Sequence, residues 1–287
     1  MAIDTSDFTF QGIGFVDNSG IPGCTDPTDT NYDANATIND GSCTYVVLGC
    51  MDSTAANYNP SANTDDGSCD YGMTYIPDDN FRAKLYDSYG VSDWYDTDGG
   101  EIVGVVAGKW CLTSDINTVS NLPIASSNIS DLTGIEDFTA LATLNCANNN
   151  LDSLDVSANL ALKNFFCQQN QLTNLDVSTN LALNILYCYS NQLTSLNVSY
   201  NTALTTLVCA SNQLTSLDVS HNTALTYLDC GVNELTSLDV RNANNANFTN
   251  FELRSNPNLY CINVDDPIYS AANWTNIDDQ HYFAANC

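Results

Sequence analysis

The sequence is almost devoid of positive charge. It contains 6 Lys and Arg residues against 34 Asp and Glu, and no Lys or Arg precedes Arg82. A chain this negative repels phosphate backbones and anionic lipid, so its composition argues against nucleic acid and membrane-surface partners. The composition suits water rich in dissolved cations, because salt screens the self-repulsion of the chain.

Long apolar runs are also missing. No stretch approaches the ~20 residues that a helix needs to span a bilayer, so no membrane insertion is expected. The opening MAIDTSDFTFQGIGF has neither a basic region nor a continuous apolar region, and it therefore does not match a signal peptide. The final HYFAANC carries no recognisable sorting tail. Secretion by a common route is expected only if the signals lie outside this sequence.

Residues for catalysis are scarce. The chain has two histidines, and it contains no HExxH, no GxSxG and no glycine-rich phosphate loop. His221 occupies the slot that holds Ala158, Thr179 and Tyr200 in other repeats, which indicates a variable, exposed position. The sequence therefore predicts a protein that is not an enzyme.

What the sequence does contain is a repeat of 21 residues. The stretch LDSLDVSANLALKNFFCQQNQ begins at Leu151, and near copies begin at Leu172, Leu193 and Leu214. A fixed period of this length indicates a solenoid. Inward residues such as Leu144 alternate with outward ones on a strand, and coils stacked ~4.8 Å apart form a parallel sheet. Cysteines recur at the same interval, at Cys146, Cys167, Cys188, Cys209 and Cys230.

Each repeat follows the pattern LxxLxCxxNxL and then TxLDVSxN. Both halves resemble the leucine-rich-repeat consensus over roughly residues 116–264. The resemblance implies a leucine-rich-repeat parallel β-solenoid. Recurring asparagine amides are expected where the chain turns, because they can satisfy backbone groups that would otherwise be buried unpaired. These residues are Asn149, Asn170, Asn191, Asn212 and Asn233.

Two copies of another module precede the repeats. GCTDPTDTNYDANATINDGSC runs from Gly23 to Cys43, and GCMDSTAANYNPSANTDDGSC runs from Gly49 to Cys69. Segments this rich in Gly, Asn and Asp do not form a core unaided, so disulfides are expected to close them. Tyr32 and Tyr58 are expected to supply the single aromatic residue of each small core.

The twelve cysteines fall into two groups according to their surroundings. Those in polar segments are expected to be bonded, and each N-terminal bridge closes a loop worth ~3 kcal/mol against the unfolded chain. Those in the repeats replace a leucine in an apolar pattern, so we expect them to be reduced, buried and hydrophobic in role. Cys111 is left over. The expected pairs are Cys24–Cys43, Cys50–Cys69 and Cys261–Cys287, and they indicate an oxidising, extracellular setting.

These features divide the chain into six parts. TYIPDDNFRAKLYDSYG is typical of a helix capped by Asp78 or Asp79 and ended by Gly90. A helix just before a solenoid would cover its first coil. The expected parts are a lead-in or docking segment at 1–22 with a strand in FTFQGIGFV, disulfide modules at 23–48 and 49–72, a helical N-terminal cap at 73–115, the solenoid at 116–260 and a C-terminal cap at 261–287.

Acidic residues crowd the two modules, and no basic residue lies near them in the sequence. Hard oxygen ligands suit calcium, the one cofactor that the sequence suggests, but Asp also makes Asx turns. Both interpretations stay open for Asp26, Asp29, Asp40, Asp52, Asp65 and Asp66. DWYDTDGGEI resembles the calcium loop DxNxDGxI with one residue missing; Asp96, Asp98 and Glu101 are candidate ligands there, although a structural turn is the favoured interpretation.

The outward strand positions differ between the two halves of the repeat. They are uniform on the LDVS side, at Asp155, Asp176, Asn197, Asp218 and Asp239. They vary on the LxC side, and variable positions carrying aromatic residues favour recognition of a ligand. Ring stacking that only stabilises the sheet is the alternative. The candidate ligand-binding residues are Phe166, Tyr187, Tyr189, Val208, Tyr227 and Asp229.

Several longer stretches of the sequence also resemble known groups of proteins. IPDDNF, NISDLTGIEDFTAL and CINVDDPIYSAANWTNID resemble secreted repeat proteins of marine flavobacteria, and the GCTDP and DDGSC modules resemble surface proteins of those bacteria and virion proteins of marine phages. The resemblance implies a recognition or adhesion protein on a bacterial surface or a virion. We expect a surface polysaccharide or protein as its partner and an assembly partner for residues 1–72. The alternatives are a structural virion decoration or fibre protein without its own ligand, and an ice- or crystal-binding solenoid using Thr173, Thr194, Thr215 and Thr236.

Overall fold

The chain divides into two units, residues 1–71 and 72–287, and each is described by itself. The expected lead-in strand and the candidate ligands Asp96 and Asp98 lie outside the described residues. No helix within the described ranges is long and apolar enough to cross a membrane. The computed structural model describes residues 20–53, 55, 57–69, 72–95, 101–103 (backbone alone) and 109–287.

Each N-terminal module is a loop closed by one short pair of parallel strands. In the first module β1 (Pro22–Gly23) pairs with β2 (Ile38–Asn39). In the second module β3 (Leu48–Gly49) pairs with β4 (Thr64–Asp65) in the same way. The matching register shows that the repeated sequence folds twice into the same small unit.

Disulfides occupy the interior of the modules. Cys24 and Cys50 are each only 1% exposed. The expectation that Tyr32 and Tyr58 are core residues is wrong, because 46% and 42% of their surface is exposed. A module of this size has little interior volume, and the disulfide takes it. The bonded pairs in the whole described chain are Cys24–Cys43, Cys50–Cys69 and Cys261–Cys287, the three pairs that the sequence predicts.

An antiparallel sheet and one helix precede the repeats. The strands of this sheet lie in the order Met73–Tyr75, Trp110–Leu112, Asp93–Tyr95 and Glu101–Val103. A short 3-10 helix at Thr113–Asp115 then leads into the first coil. The elements are β5 (Met73–Tyr75), α1 (Asp79–Tyr89), β6 (Asp93–Tyr95), β7 (Glu101–Val103) and β8 (Trp110–Leu112).

Helix α1 begins at a side-chain cap and ends at a glycine. Asp78 accepts hydrogen bonds from the backbone N–H groups of Asn80 and Phe81, both at 2.9 Å. Gly90 adopts a φ of 68°, the left-handed conformation that glycine reaches without steric cost. The ring of Phe81 is buried, and its centroid lies 6.0 Å from that of Phe138 in the first coil.

The 21-residue repeats form a solenoid in which each half of the repeat contributes one parallel sheet. Within the described residues the first sheet, on the LxC side, has seven strands, and the second has four, two from the LDVS half of the last coils and two from the C-terminal cap. The first sheet contains β9 (Asn121–Pro123), β10 (Thr143–Asn145), β11 (Asn164–Phe166), β12 (Ile185–Tyr187), β13 (Thr206–Val208), β15 (Tyr227–Asp229) and β17 (Asn250–Glu252). The second contains β14 (Ser216–Asp218), β16 (Ser237–Asp239), β18 (Cys261–Asn263) and β19 (Tyr282–Ala284).

The interior of the solenoid is a stack of leucines and cysteines. Leu144 and Cys146 are fully buried, as the alternation of the strand predicts. In the last coil, which comes two residues late, Leu253 takes the place of the cysteine and is also fully buried. The C-terminal end is closed by Trp274, which follows helix α2 (Pro267–Asn273) and stacks on Phe251 at 4.0 Å. The reduced, buried cysteines of the repeats are Cys146, Cys167, Cys188, Cys209 and Cys230.

Two columns of buried asparagines tie neighbouring coils together. In the predicted column, Asn170 donates to the carbonyls of Cys146 and Cys167 at 3.0 Å and accepts from the N–H of Leu151 at 3.1 Å. In the second column, the side chain of Asn180 donates to one carbonyl of its preceding coil at 3.0 Å and to another at the same distance. Asn170 therefore satisfies backbone groups of two coils at once, whereas Asn180 links its own coil to two carbonyls of the preceding coil. The second column contains Asn159, Asn180, Asn201 and Asn222.

Candidate ligand-binding face

The outward side chains of the first sheet stand in columns, because its strands pair in register. Phe166 pairs with Tyr187, Tyr187 with Val208, and Val208 with Asp229. Tyr189 lies two residues beyond Tyr187, and alternate residues share a face. The structure thus brings the sequence-predicted residues of this face together. We name Phe166, Tyr187, Tyr189 and Tyr227 the aromatic face.

The rings of the aromatic face contact one another. Phe166 and Tyr187 meet edge to face with their centroids 5.2 Å apart, and Tyr187 and Tyr189 lie 6.5 Å apart at an angle of 54°. All three are half-buried. Ring pairs of this kind contribute about 0.5–1.5 kcal/mol beyond their buried area. The rings therefore stabilise the sheet and at the same time present a rigid, partly exposed surface.

Val208 and Tyr227 take different positions from the rest of the candidate set. Val208 is only 8% exposed, because neighbouring side chains cover it. It was expected to contact a ligand, but at this exposure it supports the face from below. Tyr227 stands in the neighbouring column, paired with Thr206. Burial raises the pKa of the Tyr227 hydroxyl, and Asp229, Tyr187 and Glu252 raise it further.

The acidic end of the face contains a residue that the sequence reasoning missed. Asp229 pairs in register with Glu252 on β17, so two carboxylates stand side by side on neighbouring strands. Burial raises the pKa of Asp229, and Glu252 raises it further, against the opposing effect of a hydrogen bond from the N–H of Gly231. The signal was available in FTNFELRSNPNL, where the late coil places Glu252 in the slot of Asp229.

The acids considered for calcium are engaged in turns of the modules. Asp26 accepts hydrogen bonds from the N–H and the hydroxyl of Thr28. Asp40 and Asp66 accept from the N–H groups of Ser42 and Ser68 at 2.9 and 3.0 Å, and the serine side chains, together with these N–H groups, lower the pKa of both carboxyls. Asp65 accepts in the same way from the N–H of Gly67. Four of the six predicted ligands therefore form Asx turns.

Asp29 and Asp52 lie elsewhere in the modules. Asp29 is 7% exposed, with Oδ2 at 3.4 Å from Sγ of Cys24, and burial raises its pKa. Asp52 is half-buried. Within the described part of the chain, the one group of three ligand-type side chains close enough to share an ion is Cys24, Asp29 and Cys43, and its two cysteines are bonded to each other. The structure does not gather three of the predicted carboxylates at one point.

The described residues show no arrangement typical of acid–base catalysis. His281 is buried, and its Nδ1 accepts from the N–H of Asp278 while Nε2 lies 3.3 Å from the carbonyl of Asn256. His221 is exposed beside Ser220, as its variable slot predicts. A cleft of about 580 Å³ at the start of the solenoid has no histidine, cysteine or lysine in its lining. Its lining includes Asp131, Glu136, Asp152 and Asp155.

Comparison with solved structures agrees with this architecture. No family model matches the chain, and no curated protein matches it. The structure is similar to the functional domain of InlJ from Listeria monocytogenes, described as including a cysteine ladder, with 30% sequence identity and a TM-score of 0.51. The match covers 67% of this chain and 52% of that domain, so the chain spans about half its length.

Two further solved structures show weaker similarity. Internalin C2 of L. monocytogenes has a TM-score of 0.48 at 19% identity, covering 71% of this chain and 92% of the other. A leucine-rich-repeat protein of Leptospira interrogans has a TM-score of 0.44 at 17% identity, covering 57% and 54%. The register of the strands, the buried leucines and the similarity to InlJ together identify the fold as a leucine-rich-repeat parallel β-solenoid.

Proposed function

We propose that this chain is a non-enzymatic recognition or adhesion protein that acts outside the cell and binds a surface glycan or a protein through its aromatic face. The observation that carries the proposal is the cluster of mutually contacting, half-exposed rings at Phe166, Tyr187 and Tyr189 on consecutive coils. Rigid amphipathic rings suit both sugar rings and apolar patches of proteins. Three disulfides support an oxidising location.

The exterior in question is proposed to be a bacterial cell surface, of the marine flavobacterial type, or a phage virion. The two N-terminal modules suit either, and residues 1–72 would serve as the attachment to an assembly partner. The genes that neighbour the reading frame decide between the two: export and cell-surface genes support a bacterial protein, whereas capsid and tail genes support a virion protein.

A double substitution tests the binding role. Tyr187→Ala with Tyr189→Ala removes the centre of the aromatic face, and Tyr200→Ala serves as the matched control because Tyr200 is 59% exposed and lies outside this sheet. The wild-type chain is applied to arrays of glycans and of surface-protein peptides, and the double variant is expected to lose at least tenfold in binding while the control retains it. Loss of ring contacts should cost about 1–2 kcal/mol of stability.

The outcome also separates the alternatives. Undiminished binding by the double variant excludes the aromatic face as the contact surface. Absence of any binding to glycans or peptides by the wild type supports a purely structural decoration or fibre role. Thermal hysteresis in a freezing assay, abolished by changes at Thr215 and Thr236, supports the ice-binding alternative.

A further inference from the structure

The charge of the first sheet changes along the axis of the solenoid. One outward column of this sheet contains Phe166 and Tyr187 on neighbouring coils. Further along the axis the same column contains Asp229 and Glu252, also on neighbouring coils. None of the residues in the seven strands of this sheet is Lys or Arg. The aromatic end of the face therefore passes directly into an acidic end that its own strands leave without a counter-charge.

The two carboxylates are unfavourable neighbours in the isolated chain. Like charges directly opposite each other on paired strands destabilise a sheet. In the described part of the chain, the ion pairs join Arg82 to Asp79, Arg241 to Asp239 and His281 to Asp278, so none involves this pair.

The nearest arginine in the sequence does not neutralise them either. The guanidinium of Arg254 donates to the side-chain oxygen of Asn276 at 3.2 Å, and only the backbone N–H of Arg254 approaches Glu252, at 3.4 Å. Asp229 itself accepts one hydrogen bond, from the N–H of Gly231 at 3.2 Å. Within the described residues, neither carboxylate of this pair therefore has an ion-pair partner.

An aromatic ring stands beside this pair. Tyr227 lies two residues before Asp229 on β15, so both project from the same face of the sheet. Tyr227 is partly exposed, and so is Asp229. A ring face attracts cations, and a carboxylate pairs with ammonium or with the two parallel N–H groups of guanidinium.

We propose, on the basis of the proposed function, that the partner of this face is a protein whose Lys or Arg side chain seats on Tyr227 between Asp229 and Glu252. The apolar residues beside that cation would then lie on Tyr187 and Phe166. Charge complementarity favours this occupant over a polysaccharide. An acidic polysaccharide is repelled by a chain of net charge −28, and a neutral one leaves the two carboxylates uncompensated.

The probe is an array of short peptides in which aromatic and aliphatic residues flank one Arg or Lys. Each peptide has a twin carrying citrulline or acetyl-lysine, which keeps the shape and removes the charge. The full chain is expected to bind a subset of cationic peptides at least tenfold more tightly than their neutral twins at 0.15 M salt. The variant Asp229→Asn with Glu252→Gln should bring that ratio down to about one.

The matched control is Asp155→Asn with Asp176→Asn. It removes the same two charges from corresponding neighbouring coils on the LDVS half, where Asn197 already fills the equivalent slot and makes the same turn. The control is expected to keep the full preference for cationic peptides. An equal loss of this preference in both double variants means that only overall charge attracts the peptides, and this result overturns the proposal. A wild type that binds no cationic peptide in preference to its neutral twin also overturns it.

A parallel glycan array separates this inference from the proposed function. One outcome is that the wild type binds glycans, that Tyr187→Ala with Tyr189→Ala abolishes this binding, and that Asp229→Asn with Glu252→Gln does not. In that case the aromatic face is the recognition surface, and the cationic protein partner is excluded. If the double tyrosine variant binds both arrays as the wild type does, the proposed function fails together with this inference.

Discussion

Asp78 joins helix α1 to the first coil through Ser130, a residue 52 positions further along the chain. One carboxylate oxygen caps the helix, and the other accepts from the N–H and the hydroxyl of Ser130, both at 2.9 Å. The side chain is buried at this junction. A single carboxylate thus serves two elements that the sequence places far apart.

Replacement of Asp78 by alanine is expected to lower the free energy of unfolding by about 2–4 kcal/mol, because a helix cap contributes about 1 kcal/mol and a buried donor left unpaired costs about 1–3 kcal/mol. Urea denaturation measures the change. Asp87→Ala is the control, since Asp87 is an exposed aspartate on the same helix. Equal stability of the two variants would show that neither the cap nor the bond to Ser130 contributes to the free energy of unfolding.

The same residue predicts a pH dependence. Burial acts to raise the pKa of Asp78, but the hydrogen bonds from Ser130, Phe81 and Asn80 outweigh it, so the pKa lies below its ordinary value. A carboxyl with a depressed pKa adds stability that is complete above the unfolded-state pKa of about 3.9 and is lost as the pH falls through the folded-state pKa. The difference between wild type and Asp78→Ala should therefore be constant from pH 7 to 5 and shrink at more acidic pH.

Val232 occupies a strained position in the repeat. Its φ is 54°, in the left-handed region, and the equivalent slots hold Asn148, Gln169, Ser190 and Ser211. A β-branched residue is unfavourable there, whereas asparagine tolerates the conformation. Val232→Asn should stabilise the chain by about 1 kcal/mol in urea denaturation. Ser211→Asn, the matched change one coil earlier, should gain less, and an equal gain in both would contradict the strain argument.

The repeat cysteines are expected to be unreactive in the native protein. All five are fully buried, and burial raises the pKa of Cys146 and Cys188 to about 12. The reactive thiolate is therefore absent at pH 8. An aromatic disulfide reagent should detect no thiol until denaturant is added, and the denatured chain should then show six. Peptide mapping that found Cys167 joined to Cys188 would contradict this prediction.

Calcium binding by the N-terminal modules stays a prediction. If calcium binds only the folded form, it raises stability by about 2.7 kcal/mol at a hundredfold excess over its dissociation constant. The full chain is expected to melt at a higher temperature in millimolar calcium than in chelator, with magnesium as control. Asp40→Asn with Asp66→Asn should keep the turns and remove the effect. Identical melting curves in calcium and chelator would exclude a calcium role.

The regular part of the fold could be predicted from the sequence. A strict 21-residue period leaves one arrangement for Leu144 and Cys146, inward on stacked strands, because every coil must bury the same positions against the next. The two N-terminal disulfide pairs were equally predictable, since each lies in a short polar segment with no other means of closing. Local patterning decided these features, and local patterning is what a sequence displays.

Tertiary packing decided what the sequence could not show. The alternation of the strand makes Val208 an outward residue, yet neighbouring side chains cover it, and Tyr32 and Tyr58 are exposed because disulfides fill their modules. Glu252 belongs to the face because the last coil stacks in register on its neighbour, which places Glu252 beside Asp229. Periodicity assigns a side chain to a face of its own coil, but exposure and charge balance depend on the side chains of the coils above and below, and these differ from repeat to repeat.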